Sequence, residues 1–310
     1  REYEADGNYT LRVWGDDGNY GYRVNPTPRR EDSTVDEGQS AVVSRADFRR
    51  ALSLAIDRDE INEQLFGGLS HPRAAAPVPG SPVYRQEYEE AWSSYDPDRA
   101  NALLDGLGLT ERDPDGYRKR PDGQTLTLRL DVNILPGSIE EGMHGLVSEH
   151  WRAVGIHTVV NPMERSDREA LQYADRHSVV AAGICNTAVP LAYDAWHDTI
   201  GGGWGRWLRN PDDPLAIRPP EDHPETEPAR GCYALIEEAY SLIDLDAAHA
   251  KLMEALDIYY DQCYSLGVVG ANPVPGVVHS RMKNVPDRLI WANALMRIGH
   301  GRPAQFYIEE

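Results

Sequence analysis

Lysine, cysteine and long apolar runs are all scarce in this sequence, and each scarcity excludes a class of protein. Only Lys119, Lys251 and Lys283 are lysines, and 50 acidic residues outnumber 31 basic ones, which gives a formal net charge of −19. Such a chain lacks the basic surface with which proteins neutralise nucleic-acid phosphates, so no nucleic-acid partner is expected. An apolar run of about 18 residues, the length that suggests a membrane-spanning helix, is also absent.

The cysteines and glycines form no motif of known chemistry. Cys185, Cys232 and Cys263 lie far apart and make no C-x-x-C pair, so neither a zinc knuckle nor a redox dithiol is predicted. At most one disulfide can form, and whether any two of these cysteines pair is open. Gly201 to Gly203 is not followed by the Lys and Ser or Thr of a phosphate-binding loop. No cofactor is expected.

Strand and helix patterns alternate in the middle of the chain. Residues 125–132 read TLTLRLDV, whose period of two predicts a strand, and an apolar stripe over 139–154 predicts the helix that follows. A strand at 156–161, a helix near 166–175 and a strand at 178–184 complete a β-α-β-α-β order. This order favours an α/β layered domain.

Three helix starts carry capping signals. Ser44 with Asp47 resembles a capping box, and Asp57 ahead of a short apolar helix repeats the pattern. Asp96 followed by Pro97 predicts a third start, because an aspartate accepts from free backbone amides and proline suits the first helical turn.

Other segments are predicted with less regular structure. A strand is expected at 9–14, and the stretch from there to about residue 43 is expected to be irregular because it is rich in Gly, Pro, Asp and Asn. The proline-rich segment 71–84 and the region 186–227 are likewise expected to be loops. Further predicted elements are helices at 231–243 and 246–264 and a strand at 266–269.

Nine short motifs resemble one known family and occur in its order. They are FRRALSLAIDRDEIN from Phe48, PVPGSP from Pro77, YDPDRANALLDGLGL from Tyr95, DGQTLTL from Asp122, WRAVGIHTV from Trp151, LGVVG from Leu266, PGVVHS from Pro275, NVP from Asn284 and PAQFY from Pro303. Together they resemble the family 5 solute-binding proteins, the oligopeptide and dipeptide type that captures solutes for ABC importers.

The resemblance implies a fold and a division into domains. Family members are periplasmic-binding-protein type II receptors with two lobes, and they are much longer than 310 residues, so this chain is expected to be a C-terminal fragment. Residues 1–30 would leave domain I, residues 31–270 would form a domain III-like α/β lobe, and residues 271–310 would return toward domain I.

The resemblance also implies a role. The full-length protein is expected to lie outside the cytoplasm, in the periplasm or lipid-anchored at the cell surface, and to be monomeric. Its partners would be a peptide or related small-molecule solute and an ABC permease in the membrane. No catalysis is expected.

The predicted ligand contacts begin where strand 178–184 ends, at Cys185, Asn186 and Thr187, since ligands of α/β folds lie at the ends of strands. In peptide binders of the family, an aspartate in this neighbourhood pairs with the amino terminus of the peptide. Asn186 or Thr187 takes that position here, and the missing carboxylate favours a neutral or sugar-like solute. An oligosaccharide or opine receptor is therefore the alternative within the family.

Tryptophans follow in the segments AYDAWHD and GGGWGRW. Trp196, Trp204 and Trp207 are predicted to present aromatic faces to a sugar ring or a peptide side chain. The alternative is that these indoles are core residues of an irregular loop.

One enzymatic alternative is open. Asp194, His197 and Asp198 have the i, i+3, i+4 spacing that places two carboxylates and an imidazole on one face of a helix. An α/β metal-dependent hydrolase could be built on them, although a surface cluster without metal is the simpler interpretation.

Overall fold

The computed structural model describes residues 7–309 except 175, 182, 184–186, 192–195, 197–203, 214–215, 217–218, 220–222 and 296. The strands are β1 (Tyr9–Asp16), β2 (Asn19–Val24), β3 (His71–Pro72), β4 (Thr127–Val132), β5 (His157–Pro162), β6 (Val179–Ala181), β7 (Leu266–Gly270), β8 (Pro273–His279), β9 (Met282–Lys283), β10 (Ile290–Trp291) and β11 (Tyr307–Ile308). The helices are α1 (Glu37–Val43), α2 (Ala46–Leu54), α3 (Arg58–Phe66), α4 (Gln86–Glu90), α5 (Pro97–Gly106), α6 (Ile139–Ala153), α7 (Arg165–Tyr173), α8 (Gly205–Arg209), α9 (Thr226–Ser241) and α10 (Leu245–Asp261).

A six-stranded sheet in the order β3-β7-β2-β6-β4-β5 forms the centre of the fold. Strand β4 runs parallel to β5 and β6, whereas β2 is antiparallel to both β6 and β7. A separate three-stranded sheet has the order β10-β1-β8, and β11 pairs with β9. The predicted α/β alternation is therefore present, with a mixed sheet.

The first hydrophobic core packs helices on the central sheet. Leu126, Leu128, Leu130 and Val132 are fully buried, which confirms the apolar face predicted for β4. The apolar stripe of α6 covers this sheet, and the indole Nε1 of Trp151 donates to the Leu52 carbonyl at 3.0 Å, which ties α6 to α2.

The second hydrophobic core lies between α9 and α10, whose bounds shift the predicted helices by a few residues toward the N-terminus. Aromatic side chains dominate it. Tyr259 and Tyr260 of α10 meet edge to face with ring centroids 5.3 Å apart, and Tyr88 stacks on Tyr260 at 4.5 Å. Cys232 is a buried free thiol in this core, and Cys263 is a buried free thiol at the edge of the first core.

Two of the predicted helix caps are confirmed. The Asp57 carboxylate accepts from the Glu60 amide at 2.9 Å at the start of α3, and the Asp96 carboxylate accepts from the Arg99 amide at 2.9 Å at the start of α5. Pro97 occupies the first turn of α5, as predicted.

The predicted capping box at Ser44 is wrong. Helix α2 begins at Ala46 behind Arg45, which provides no side-chain cap. Ser44 instead ends α1, and its hydroxyl donates to the Ser40 carbonyl at 2.5 Å and lies 2.8 Å from His223 Nε2. The hydroxyl is therefore engaged in contacts that short-range spacing does not reveal.

The stretch predicted to be irregular up to about residue 43 contains β2 and α1. Strand β2 reads NYGYRV, whose glycine and asparagine are unfavourable in isolated strands. It forms nevertheless, because it lies between β6 and β7 and both of its edges are hydrogen-bonded. Neighbouring strands thus override the weak local preference.

In the part of the chain that the structure describes, no helix is both long and apolar enough to cross a membrane. A search of the same residues for three or more His, Cys, Asp or Glu side chains able to hold one metal ion finds none.

Candidate ligand-binding site

Three strands of the central sheet have an end at the same edge of the sheet, the edge that is formed by strand ends and not by an outermost strand. The parallel strands β4 and β6 end there at Val132 and Ala181, and the antiparallel strand β2 begins there at Asn19. Because ligands of α/β folds lie at the carboxyl ends of parallel strands, this edge is the candidate site.

The chain crosses between the central sheet and the three-stranded sheet twice at this edge, between β1 and β2 and between β7 and β8. The two crossings are hydrogen-bonded to each other. The Asp16 amide donates to the Asn272 carbonyl at 3.0 Å, and the Ala271 amide donates to the Gly18 carbonyl at 3.3 Å. The Asn272 amide donates to the Asp16 carboxylate at 2.9 Å. Adjacent short crossings of this kind allow two bodies to move about a common hinge.

A cleft of about 410 Å³ lies beside these crossings, hereafter the ligand cleft. Its lining comes from the start of β2, the loop after β4, helices α6 and α7, and the end of β6. The lining residues are Gly18, Asn19, Tyr20, Gly21, Asn133, Glu140, Met143, His144, Arg165, Arg168, Ala181 and Gly183.

One wall of the ligand cleft joins β2 to α6 through two tyrosines. The Tyr20 hydroxyl donates to Glu140 Oε1 at 3.4 Å, and the Tyr22 hydroxyl lies 2.8 Å from His144 Nδ1. Burial, with a smaller contribution from the Glu140 charge, raises the pKa of Tyr20. Burial lowers the pKa of His144 to about 4, so the imidazole that meets Tyr22 is neutral at neutral pH.

The opposite wall is basic. Arg168 Nη1 donates to the Ala181 carbonyl at 3.2 Å, which fixes α7 against the end of β6. Arg165 Nε donates to Glu169 Oε1 at 2.7 Å on the exposed side of the same helix. The ligand cleft therefore offers both hydrogen-bond acceptors and cationic donors to a solute.

Gly183 sets how closely the end of β6 approaches β2. A Cβ at this position would overlap the backbone carbonyl of Asn19, so no larger residue fits without moving one strand end. The glycine thus brings the two backbones together at the floor of the ligand cleft.

Of the predicted contacts after β6, Thr187 is described and is fully buried. Its hydroxyl donates to the Asp17 carbonyl at 3.3 Å, and the Ala188 amide donates to Asp17 Oδ2 at 3.3 Å. This segment is therefore held against the first crossing, beside the ligand cleft. Cys185 and Asn186 lie outside the described residues.

The three predicted tryptophans lie inside the second hydrophobic core. Trp196 and Trp204 are no more than 1% exposed, and Trp207 is 4% exposed. Trp196 packs edge to face on Tyr259 at 5.7 Å, and Trp204 packs on His223 at 5.3 Å. The indoles thus occupy the core position that the sequence left as the alternative, and their contact with a solute stays a prediction.

The hydrolase alternative rested on Asp194, His197 and Asp198, which all lie outside the described residues.

Comparison with known proteins identifies the family. Residues 4–217 match the bacterial extracellular solute-binding proteins, family 5 Middle. The chain belongs to this family. A solved structure of the oligopeptide-binding protein OppA is 29% identical, with a TM-score of 0.82, over 100% of this chain and 50% of that one.

Other relatives of this family 5 chain are more distant. The periplasmic alpha-galactoside-binding protein of Rhizobium meliloti (strain 1021) is 25% identical over 137 residues, which are 42% of this chain and 19% of that protein. The Bacillus subtilis oligopeptide-binding protein AppA, solved in complex with a nonapeptide, is 14% identical with a TM-score of 0.68 over 100% of this chain and 54% of that one.

These likenesses confirm the predicted fold class, a lobe of the periplasmic-binding-protein type II kind. The chain spans about half the length of the solved relatives, at 50% of OppA and 54% of AppA.

The sequence of this family 5 chain did not indicate most of the residues that line the ligand cleft. Tyr20 and Asn19 lie in a stretch that was predicted to be irregular, and Arg168 lies in a helix whose inner face was not assigned. Glu140 carried a usable signal, because it stands in the first turn of the helix that directly follows β4. A residue in that position lies at the carboxyl end of the strand, where α/β folds bind ligands.

Proposed function

We propose that this chain is one wall of an extracytoplasmic receptor that captures a solute for an ABC importer and does not transform it. The observation that carries the proposal is the position of the ligand cleft, directly beside the two hydrogen-bonded crossings. A cleft beside a hinge is suited to closure of a second wall over the solute, which expels water and adds contacts.

The proposed division into domains has support in the sheets. Strand β1 pairs with β8 and β10, all outside the central sheet, so we assign β1 and residues 271–310 to a neighbouring domain I and the central sheet with its helices to domain III. We place the first crossing at Asp17 and Gly18, because β2 already belongs to the central sheet.

A peptide or related solute is the leading proposal for the ligand, supported by the 29% identity to the oligopeptide-binding protein OppA. An oligosaccharide is the second candidate, supported by the alpha-galactoside-binding relative. The sequence after β6 favours the second, because Asn186 or Thr187 stands where peptide binders of the family carry an aspartate, and neither side chain supplies the carboxylate that a peptide amino terminus would pair with.

The remaining parts of the proposal follow from the family. A receptor of this kind lies outside the cytoplasm and works with an ABC permease in the membrane. We also propose that it is lipid-anchored and monomeric.

The proposed function is tested by thermal denaturation of the receptor that contains this chain, in the presence of peptides, oligosaccharides and opines. A ligand that binds the folded state alone raises the melting temperature in a saturable way. We expect one of these classes to do so. If none does, and the receptor is folded, the proposed function is wrong.

The isolated 310-residue chain provides the matched control. Because it holds half of a two-walled site, we expect calorimetry to find solute binding far weaker than in the receptor. A micromolar dissociation constant for the isolated chain would contradict the two-walled arrangement.

The hydrolase alternative has its own test. We expect replacement of His197 by alanine, and removal of metal by a chelator, to leave solute affinity and melting temperature unchanged. A metal-dependent loss of either would favour the enzyme.

A further inference from the structure

A recess with a volume of about 320 Å³ lies at the end of the central sheet opposite the ligand cleft. It is lined by Thr127 at the start of β4, by Ser178 directly before β6 and by Pro28 in the loop after β2, whereas the ligand cleft lies where β4 and β6 end and β2 begins. Strand β4 has six residues, and because each residue of a strand advances about 3.3 Å, about 17 Å separates the recess from the cleft along this strand. The recess is therefore distinct from the proposed solute site.

Four arginines line this space, hereafter the arginine recess. Arg29 and Arg30 lie in the loop after β2, Arg129 lies on β4, and Arg176 lies in the loop before β6. Among the described lining residues, Asp36 carries the one carboxylate. Three segments that are distant in sequence thus bring cationic side chains together in a chain whose formal net charge is −19.

Two of the four arginines have carboxylate partners. Arg129 Nε donates to Asp131 Oδ1 at 2.7 Å. Arg30 Nη2 lies 3.4 Å from Asp36 Oδ1, and the other oxygen of Asp36 accepts from Arg120 Nη1 at 3.0 Å. These pairs neutralise Arg129 and leave Asp36 shared between two guanidinium groups, so neither Arg129 nor Arg30 is counted as free for a ligand.

Arg29 and Arg176 have no carboxylate partner in the part of the chain that the structure describes. Arg29 Nη1 donates to the Ser33 carbonyl at 2.7 Å, but its Nε is buried and no described residue accepts a hydrogen bond from it. The carbonyl of Arg176 accepts from Arg129 Nη2 at 2.8 Å, which holds this residue at the recess, while no ion pair or hydrogen bond to a described residue engages its guanidinium. A buried charged donor without an acceptor is unfavourable, and an oxyanion is the acceptor that fits a guanidinium best.

We propose that the arginine recess is a second binding site of this protein, which takes a phosphate group between Arg29 and Arg176. A phosphate monoester brings about two negative charges and three acceptor oxygens, which match two guanidinium groups better than the single charge of a carboxylate does. Free phosphate and the headgroup of a phospholipid present the same oxygens to the recess. The inference goes beyond solute capture, because this site lies away from the ligand cleft.

The first test is calorimetric titration of the receptor that contains this chain with sodium phosphate, at an ionic strength kept constant with sodium chloride. The second is cosedimentation of the same receptor with vesicles of phosphatidylglycerol, with phosphatidylcholine vesicles as the uncharged control. We expect saturable binding that chloride and phosphatidylcholine do not reproduce. Binding of free phosphate without binding to vesicles assigns a free phosphate ligand, and binding to phosphatidylglycerol assigns a headgroup.

Arg176→Gln and Arg29→Gln each remove one guanidinium from the arginine recess. We expect each variant to weaken phosphate binding about tenfold, as for loss of one charged hydrogen bond. Arg152→Gln, on the exposed side of α6, is the matched control for the change of charge, and Arg168→Gln is the control for the ligand cleft. Both controls should bind phosphate like the unaltered receptor, and circular dichroism establishes that each variant is folded.

Three results would overturn the inference. The first is the absence of a saturable response to both phosphate and phosphatidylglycerol. The second is phosphate binding by Arg176→Gln and Arg29→Gln that equals binding by Arg152→Gln, because the recess then plays no part. The third is a loss of binding in Arg168→Gln at least as large as in Arg176→Gln, which would place the phosphate in the ligand cleft. The proposed receptor function stands in each case.

Discussion

A single buried arginine, Arg58, connects several helices and strands of this protein. Arg58 is 3% exposed and donates Nε to the Gly267 carbonyl at 2.9 Å, and Nη1 to the carbonyls of Ser53 and Ser93 at 2.9 Å each. Its Nη2 donates to the Ser53 hydroxyl at 2.7 Å. One side chain thus joins the end of α2, strand β7 and the loop before α5. The cap at Asp57, the residue before it, is as predicted from the sequence.

Arg58→Lys should destabilise the chain strongly. An ammonium group cannot reach the carbonyls that the guanidinium spans, so buried acceptors lose their donors and we expect a loss of about 2–4 kcal/mol in the free energy of unfolding. Urea denaturation measures it. Arg152→Lys, an exposed change of the same kind, should stay within about 0.5 kcal/mol of the unaltered chain. Equal stabilities for the two variants would refute the connecting role.

Two buried histidines give stability a defined pH dependence. Burial lowers the pKa of His144 and of His177 to about 4, from an ordinary value of 6.5. Between these pH values the unfolded chain is protonated at both histidines and the folded chain is not. The free energy of unfolding therefore falls as pH falls from about 6.5 to about 4, by up to about 1.4 kcal/mol per pH unit for each histidine.

The pH prediction is checked by urea denaturation between pH 7.5 and 4.5. His144→Asn should reduce the slope of stability against pH, because one of the two buried imidazoles is gone. His279→Gln, an exposed change, should leave the slope as it is. If His144→Asn leaves the slope of stability against pH unchanged, the contact between Tyr22 and His144 does not depend on a neutral imidazole.

At the scale of elements, glycines determine how closely strands and loops approach. A Cβ on Gly267 of β7 would overlap the backbone of Ala74 and Ala75, so the segment after β3 can lie directly against this strand. Gly145, in the middle of α6, has nothing near its Cβ position and is exposed. The two positions therefore differ in what a methyl group would meet.

Gly267→Ala and Gly145→Ala should have opposite effects. We expect the first to cost at least about 3 kcal/mol or to prevent folding, because backbone rather than a flexible side chain blocks the methyl group. The second should stabilise the chain by about 0.5–1 kcal/mol, because alanine is the better helix former. Thermal denaturation followed by circular dichroism compares them. A harmless Gly267→Ala would contradict the close packing of β7.

Elements whose signals are local were predictable from the sequence, and elements that depend on distant partners were not. Asp57 and Asp96 cap their helices, because a carboxylate and an amide three residues later meet in any helix start. Ser44 showed the same spacing, yet its hydroxyl is engaged by Ser40 and by His223, which lies far along the chain. Strand β2 likewise depends on neighbours that lie far from it in sequence.

At the scale of the whole molecule, the central sheet and the three-stranded sheet have very different surroundings. The central sheet is covered by the first hydrophobic core, whereas the three-stranded sheet leaves Val13 and Val277 at 47% and 70% exposure. Its strand β10 has two residues. Trp14 and Val278 are the buried side chains of its three strands, so fewer buried contacts hold this sheet than hold the central sheet.

Hydrogen exchange should separate the two sheets in the isolated chain. Amides of β4 and β6 should exchange only through global unfolding, whereas amides of β1 and β8 should exchange much faster through local opening. Mass spectrometry of peptides from each strand measures both. Equal protection of β1 and β4 would show that the three-stranded sheet is an integral part of this lobe.

The sequence by itself determined the α/β class, the alternation of strands and helices from β4 to β6, the caps at Asp57 and Asp96 and the family, because periodicity, caps and ordered motifs are encoded in neighbouring residues. The tertiary structure alone decided where the ligand cleft lies, that Trp196, Trp204 and Trp207 are buried, and that arginines from three segments of the chain line one recess. Those features arise from contacts between residues far apart in the chain, and no local pattern specifies which distant surfaces will meet.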